Sequence, residues 1–301
     1  MRREEGAGQG VWLQSPAKIN LSLRVLGLRT DGYHEVETWI QQVSLFDRIW
    51  VQDGGRSIRV TVSRPSVPAG RENLVHRAAA VLRARASRPL GARIHLEKGI
   101  PAGAGLGGGS GNAAAVLWIL NRLWGLGLSA PALRRLGADV GSDVPFFLSS
   151  PAALCRGRGE RVLRREPLRR GWILLVKPPF SLSTPIVYGW MREKLIRTGR
   201  AFTIDGRPKC PHVPVYRNDL EEVVFERYPR LRACRDELLA AGARRAMMSG
   251  TGPALFGVFP RRRDAEAAGL KFEGRARWMV RLVRPVTESL LGPGCLARAE
   301  D

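Results

Sequence analysis

Residues 99–117 read GIPAGAGLGGGSGNAAAVL, and this stretch decides the fold because its glycines give way to an apolar, helix-favouring run. A glycine costs about 0.5–1 kcal/mol relative to alanine in regular structure, so such a loop needs a physical reason. The following segment is apolar nearly all round and predicts a buried helix with Ser110 or Asn112 as its N-cap. A glycine loop before a helix presents free N–H groups and the positive end of the helix dipole. This combination favours a phosphate site over a plain structural turn.

The loop matches none of the common phosphate-binding motifs completely. A Walker A loop needs Gly-Lys followed by Ser or Thr, and the sequence contains no such tripeptide. Gly103, Gly105 and Gly108 satisfy G-x-G-x-x-G, but the acidic residue expected about 20 residues later in a dinucleotide-binding fold is missing. The H-R-D and D-F-G motifs of protein kinases are also absent. The neighbouring segments must therefore identify the loop.

The composition is that of an ordinary globular protein of 301 residues, 44% of them hydrophobic and 25% charged. Apolar runs stay below membrane-spanning length and the N-terminus lacks an apolar signal core, so we expect a cytoplasmic protein with no membrane partner. Cys155, Cys210, Cys234 and Cys295 lie far apart, which predicts reduced thiols with neither a disulfide framework nor a zinc site. The sequence leaves the oligomeric state open.

The formal net charge of +22 raises the alternative of nucleic-acid binding. Arginines are scattered along the whole chain, however, and no zinc-finger spacing or aromatic RNA-binding pattern accompanies them. A positive field would equally attract a polyanionic small substrate. We therefore expect a small-molecule partner and no nucleic acid.

Hydrophobic periodicity predicts an α+β fold, because strands and helices alternate without the regular rhythm of a doubly wound sheet. Residues 11–27 alternate between apolar and polar side chains, which predicts a strand pair or one long bent strand. Asp31 and Gly32 predict the turn that follows. We expect an N-terminal domain over residues 1–164, which contains the glycine loop, and a C-terminal domain over residues 165–301.

Three segments together resemble one family, and they are SPAKINLSLRVLGLRTDGYHEVETWIQQVSLFD, GIPAGAGLGGGSGNAA and MMSGTGPALFGVF. They are similar to the GHMP small-molecule kinases, which include galacto-, homoserine and mevalonate kinases. The family's P-x-x-x-G-L-G loop is matched at Pro101, Gly105, Leu106 and Gly107. The Gly-Glu-His element of galactokinases and mevalonate kinases is absent. PAKINL followed by RTDGYH, together with GSDVPFFL and NDLE, resembles the branch whose substrate carries cytidine diphosphate.

The resemblance covers nearly the whole chain and implies a two-domain kinase fold, with an N-terminal nucleotide-binding domain and a ferredoxin-like C-terminal domain. It implies that ATP, with Mg²⁺ whose ligands stay unassigned, phosphorylates a hydroxyl of a cytidine diphosphate substrate in isoprenoid precursor synthesis. Another member of the family with a different acceptor is the alternative. Asn73 would bind adenine, although it fits a plain helix N-cap equally well.

The glycine loop, defined as Pro101–Gly111, would bind the triphosphate of ATP. The resemblance implies this role for Pro101, Ala102, Gly103, Ala104, Gly105, Leu106, Gly107, Gly108, Gly109, Ser110 and Gly111. A Cβ at Gly105 or Gly107 would occupy the place of a phosphate oxygen or force a disallowed backbone angle. Gly111 stands where the family usually has serine, so we expect its position to have room for a hydroxymethyl group.

Two residues are expected to carry the chemistry. The apolar residues after Asp143 predict partial burial of its carboxylate, which suits a general base. The resemblance places Lys18 against this aspartate and the acceptor hydroxyl, where it would keep the aspartate charged and stabilise the developing alkoxide. Asn20 follows Lys18 at strand spacing, so both side chains face the same way, and Asn20 would hydrogen-bond the substrate.

The remaining substrate residues are expected to hold the cytidine end. By resemblance, Tyr33 would stack on cytosine and His34 would hydrogen-bond the edge of the base. Thr184 is predicted as the N-cap of a helix with Pro185 first, and Tyr188 one turn later is a candidate for the other stacking face or a core aromatic. Residues 249–252 (SGTG) would close the site from the C-terminal domain or form a simple hairpin turn.

Overall fold

A computed structural model of the protein describes residues 10–198, 216–289 and 291. Cys210 and Cys295 lie outside the described residues, whereas Cys155 and Cys234 are buried free thiols. In the part of the chain that the structure describes, no helix combines the length and the apolarity needed to cross a membrane. The predicted α+β class is confirmed, because strands and helices form two separate mixed units.

The first unit is a sheet of strands in the order β3-β4-β2-β5-β6, with β1 paired to β2. Its strands are β1 (Val11–Leu28), β2 (His34–Asp53), β3 (Ile58–Val62), β4 (Ala92–Glu97), β5 (Ala152–Gly157) and β6 (Arg161–Arg164). The alternating segment forms one long strand, β1, rather than a strand pair. Its antiparallel register with β2 shifts at Pro16/Ala17, Asn20/Ser22 and Val25/Gly27. Such bulges bend a strand and re-aim its side chains, which here include those of Lys18 and Asn20.

Helices α1 (Leu74–Arg83), α2 (Gly108–Leu123) and α4 (Val144–Phe147) pack against this sheet, and α3 (Ala130–Val140) packs against these helices. The prediction that the segment after the glycines is a buried helix is confirmed, since most of α2 lies in the core. The predicted caps are wrong: the N-cap is Gly107, at φ 69° and with no side-chain cap hydrogen bond. A glycine can take this left-handed angle without steric cost, so the helix begins before Ser110 and Asn112.

The second unit is an antiparallel sheet in the order β10-β7-β9-β8. Its elements are β7 (Trp172–Lys177), α5 (Thr184–Arg197), α6 (Leu220–Arg227), α7 (Pro229–Ala240), β8 (Arg245–Met248), β9 (Leu255–Phe259), α8 (Arg262–Glu273) and β10 (Met279–Val283). A strand, helices, two strands, a helix and a strand in this spatial order form a ferredoxin-like unit, as expected. The N-cap of α5 is Ser183, one residue before the predicted Thr184.

The two units meet along β1. Asn218 pairs with Leu23 of β1 in an isolated bridge, and its side-chain amide donates to the carbonyls of Met248 and Gly250 at 2.9 and 2.8 Å. The chain passes from the first sheet to the second between Arg164 and Trp172. The domain boundary at residues 164 and 165 stays a prediction.

Candidate active site

One cavity of about 890 Å³ lies between the two units. It brings together nearly all of the residues that the sequence singled out, which are Lys18, Asn20, Tyr33, His34, Pro101–Ser110, Asp143, Thr184 and Tyr188. Two of the predicted residues, Asn73 and Gly111, do not line it. The cavity also includes Gly250 and Thr251, so the SGTG turn borders the same space as the glycine loop.

The glycine loop runs with left-handed backbone angles at Gly103, Gly105 and Gly107, where φ is 59°, 76° and 69°. The expected backbone constraint at Gly105 and Gly107 is therefore present. A Cβ at either glycine would also meet protein atoms, and the expected clash with a phosphate oxygen stays a prediction. At Gly105 the Cβ would meet the carbonyl oxygen of Ser249, and at Gly107 it would lie 2.8 Å from Lys18 Cγ.

Gly111 lies inside α2 and not in the loop before it. Its N–H donates to the carbonyl of Gly107 at 2.9 Å inside α2, so it has no free N–H to offer to a phosphate. A Cβ at Gly111 would point into β1, at 2.6 Å from Ser15 Oγ and 3.1 Å from the Pro16 carbonyl oxygen. The expectation that its site has room for a hydroxymethyl group is therefore wrong, whereas the contact of Gly111 with ATP stays a prediction.

Asn73 is the N-cap of α1, which is one of the two roles that the sequence predicted for it. Its Oδ1 accepts from the Val75 N–H at 2.9 Å, and its Nδ2 donates to the Pro68 carbonyl at 2.6 Å. Both ends of the amide are engaged in holding the start of the helix. The adenine contact stays a prediction.

Lys18, Asn20 and Asp143 form a charged group beside the glycine loop. Lys18 is 4% exposed, and its Nζ donates to Asn20 Oδ1 at 2.6 Å and lies 3.5 Å from Asp143 Oδ2. Asn20 in turn donates from Nδ2 to Thr38 Oγ1 at 2.8 Å. The expectation that Lys18 and Asn20 face the same way is thus confirmed. A buried ammonium needs such partners, and here they fix its position.

Local folding explains why these groups meet. The backbone N–H of Lys18 donates to the Leu106 carbonyl at 2.9 Å, which joins the bulged part of β1 to the glycine loop. Asp143 immediately precedes α4, which is anchored by the buried rings of Phe146 and Phe147. The Asp143 side chain remains 29% exposed, so its carboxylate is partly buried, as expected, but still faces the cavity.

The SGTG turn holds the opposite side of the loop. Ser249 Oγ donates to the Gly105 carbonyl at 2.9 Å and accepts from the Asn20 N–H at 3.3 Å. Thr251 Oγ1 lies 3.2 Å from Thr184 Oγ1 at the start of α5. The turn thus connects the glycine loop, β1 and α5.

Three aromatic side chains line the cavity at its other end. The rings of His34 and Tyr188 lie 5.0 Å apart and are tilted by 34°. Tyr33 is 52% exposed, whereas His34 is buried and its Nε2 has no hydrogen-bond partner. A buried, unpartnered ring nitrogen that faces a cavity is suited to a ligand that supplies the missing partner.

Burial, together with the positive charge of Arg192, lowers the pKa of His34. At this residue the folded state therefore binds fewer protons than the unfolded state as the pH falls through about 6.5, so the contribution of His34 lowers the free energy of unfolding as the pH is lowered. Replacing His34 with glutamine is expected to reduce this slope, by at most about 1.4 kcal/mol per pH unit for one proton. Chemical denaturation of the wild type and the variant at several pH values between 7.5 and 5 measures how the free energy of unfolding changes with pH. The same pH dependence in both proteins would contradict a neutral His34.

Sequence reasoning missed a buried ion pair behind the glycine loop. Asp47 on β2 is fully buried and pairs with Lys98. Its other oxygen accepts from the N–H groups of Gly99 and Ile100, both at 2.8 Å. Asp47 therefore fixes the backbone that enters the loop. The signal available in the sequence was an aspartate inside an apolar strand and a lysine directly before the loop.

The chain matches known proteins along most of its length. The models "GHMP kinases N terminal domain" and "GHMP kinases C terminal" match residues 73–150 and 212–276. A 4-diphosphocytidyl-2-C-methyl-D-erythritol kinase of Syntrophotalea carbinolica is 42% identical over 91% of this chain and 98% of that protein. The protein of the same name from Moorella thermoacetica is 44% identical over 82% of this chain and 89% of its own.

A solved structure agrees with these relatives. The crystal structure of a 4-(cytidine 5'-diphospho)-2C-methyl-D-erythritol kinase superposes with a TM-score of 0.71 and 34% identity, over 91% of this chain and 99% of that one. Both the sequence and the fold are thus similar along most of the chain. The chain belongs to the GHMP kinase family, within the group of the 4-diphosphocytidyl-2-C-methyl-D-erythritol kinases.

Proposed function

We propose that this protein transfers the γ-phosphate of ATP to the 2-hydroxyl of 4-diphosphocytidyl-2-C-methyl-D-erythritol, in the non-mevalonate synthesis of isoprenoid precursors. One observation carries the proposal: a single cavity joins a glycine loop, a Lys18–Asp143 ion pair and the aromatic group of Tyr33, His34 and Tyr188. The loop suits a triphosphate, the ion pair suits a hydroxyl that must lose a proton, and the aromatic group suits a nucleobase.

At the acceptor, Asp143 is the group that takes the proton from the substrate hydroxyl. The Lys18 ammonium, 3.5 Å from the Asp143 carboxylate, lies where negative charge develops on the attacking oxygen. Lys18 is held on its other side by Asn20 Oδ1, so it needs little reorganisation during the reaction. These residues orient the hydroxyl, and the transfer itself depends on that alignment.

At the donor, the loop supplies backbone N–H groups and the N-terminus of α2. No group of three or more His, Cys, Asp or Glu side chains in the described ranges is arranged to hold a metal ion. Mg²⁺ commonly binds through phosphate oxygens and several waters with few protein ligands, and a cavity beside the glycine loop fits this mode. Ser110, which lines the cavity, would hold the ion together with the phosphate oxygens, and the ion would neutralise charge on the phosphates.

We also propose that the protein works in the cytoplasm on a small molecule alone. Among the described cysteines, Cys155 and Cys234 are buried free thiols, as in a reducing compartment. Lys18 and Lys98 line the same cavity as the glycine loop, where their charge would face a small anionic ligand. A duplex-DNA titration at physiological salt is expected to show no binding, and a tight complex would contradict this part of the proposal.

A coupled ADP-release assay tests the proposed reaction directly. The assay compares 4-diphosphocytidyl-2-C-methyl-D-erythritol with mevalonate and homoserine, the acceptors of other members of the family. We expect ADP release only with the cytidine diphosphate substrate. Turnover with mevalonate or homoserine, and none with the cytidine substrate, would overturn the proposal.

Replacing Tyr33 with alanine is expected to raise the KM for the cytidine substrate about fivefold to a hundredfold, because stacking on one base contributes about 1–3 kcal/mol. The KM for ATP should stay the same. Since Tyr33 is 52% exposed, the variant should fold normally. The matched control is Tyr33→Phe, which keeps the ring and should keep most of the affinity. Equal increases in both KM values for Tyr33→Ala would contradict the assignment of Tyr33 to the base.

A further inference from the structure

The cavity contains positive charge that the protein does not neutralise. Lys18 pairs with Asp143, and Lys98 pairs with Asp47. Arg158 and Arg192 also line the cavity, but neither guanidinium forms an ion pair within the described part of the chain. The Arg158 charge acts at longer range on Asp31, whose carboxylate is already bound to Arg29 at 3.0 Å. These two arginines are therefore available to an anionic ligand.

Arg158 lies at the centre of the turn that joins β5 to β6. Gly157 and Gly159 flank it at φ 75° and 113°, and its own N–H donates to Glu160 Oε2 at 2.6 Å. The place of a Cβ at Gly159 is 3.7 Å from Asp143 Oδ1, so this turn borders the catalytic aspartate. Two left-handed glycines and the Glu160 carboxylate thus fix the backbone from which Arg158 projects.

The Arg158 guanidinium lies over the ring of Tyr33, with its central carbon 4.8 Å from the ring centroid. A single side chain therefore connects the turn beside Asp143 with the aromatic end of the cavity. A guanidinium that stacks on a ring by its face keeps the N–H groups at its edge for hydrogen bonds. Its planar fork matches two phosphate oxygens.

We propose that Arg158 binds the diphosphate of the acceptor substrate and is a specificity-determining residue of this protein. The inference rests on the proposed function, in which the base lies at Tyr33 and His34 and the reacting hydroxyl at Asp143. The diphosphate joins these two parts of the substrate, so it must cross the space between them, where Arg158 projects. Arg192, exposed on α5 beside His34, adds positive charge from the other side.

Calorimetric titration with cytidine, CMP and CDP separates the base from the phosphates. The wild type is expected to bind CDP more tightly than cytidine. In Arg158→Met, affinity for CDP should fall about tenfold to a hundredfold, the loss expected for a charge-assisted hydrogen bond, while affinity for cytidine stays unchanged. Arg158→Lys keeps the charge without the planar fork, so it should lose less. The salt dependence of CDP binding should also weaken in Arg158→Met.

The matched control is Arg164→Met, since Arg164 is an exposed arginine of the same hairpin outside the cavity. It should bind all three ligands as the wild type does, and thermal melting checks that both variants fold. Equal losses for cytidine and CDP in Arg158→Met would overturn the inference, because Arg158 would then act only through Tyr33. Unchanged CDP binding would overturn it as well. A wild type that binds neither cytidine nor CDP would instead overturn the proposed function.

Discussion

Asp143→Asn is expected to lower kcat by about 10²–10⁴, the usual contribution of a general base, while the affinity for ATP stays unchanged. Asparagine keeps the shape of the side chain but cannot take a proton from the acceptor hydroxyl. The carboxylate faces the cavity at 29% exposure and contacts Lys18, so the substitution removes its charge without opening the core. Single-turnover kinetics with saturating ATP and acceptor measures the chemical step.

The matched control for this prediction is Asp139→Asn. Asp139 is an exposed aspartate four positions earlier, on α3 and outside the cavity. The control should keep wild-type kcat and wild-type affinity for both substrates. A near-normal kcat in Asp143→Asn would remove Asp143 from the catalytic role.

A variant of Lys18 tests whether Lys18 and Asp143 act together in the same catalytic step. Its ammonium bridges Asn20 and Asp143, so Lys18→Met removes the cation from between a carboxylate and an amide oxygen. Groups that work together in one step are strongly non-additive. The double variant of Lys18 and Asp143 should therefore lose little more kcat than Asp143→Asn alone.

The sequence predicted the parts of the site that follow from local rules. The glycine run followed by an apolar segment predicted a loop before a buried helix. The spacing of residues along a strand predicted that Lys18 and Asn20 lie on the same face. The resemblance to the family then indicated which of several aspartates is the general base, namely Asp143. Even so, the bend of β1 that directs Lys18 at Asp143 depends on bulges against β2, and strand pairing is a non-local property.

The errors came from contacts made by residues far apart in sequence. Gly111 was expected to have room for a hydroxymethyl group, but the missing Cβ points at Ser15 of β1, which the sequence of the loop alone cannot show. Ser110 and Asn112 were expected as caps because polar side chains normally fill that position. Here Gly107 starts the helix through its backbone angle, and the cap residue has no side chain to recognise.

Two further groups escaped the sequence analysis for the same reason. Asp47 lies 53 positions before Ile100 in the sequence, although its carboxylate accepts from the backbone N–H of that residue at 2.8 Å. Arg158 resembled one more surface arginine in a chain of net charge +22. Its position over Tyr33 follows only from the pairing of β5 with β2 and β6.

The second large effect is expected at Gly107, where Gly107→Ala should lower kcat/KM by about 10²-fold. A residue with a Cβ at a left-handed angle costs about 1–2 kcal/mol, and φ here is 69°. The added Cβ would also lie 2.8 Å from Lys18 Cγ and 3.2 Å from Phe147 Cζ, so Lys18 must move. A displacement of about 1 Å at a catalytic group costs about 10²-fold in rate. Steady-state kinetics measures the loss.

The matched control is Gly125→Ala, because it separates backbone strain from displacement of Lys18. Gly125 has nearly the same angle, φ 64°, at the other end of α2, and no atom lies within 4 Å of the place of its Cβ. It should therefore lose about 1–2 kcal/mol of stability and keep wild-type kinetics. Gly107→Ala should lose similar stability and, in addition, the activity. Suppose that both variants unfold at a lower temperature and still show wild-type kinetics. That result would mean that Gly107 is needed only for the fold and that the close approach of Lys18 to the loop has no part in catalysis.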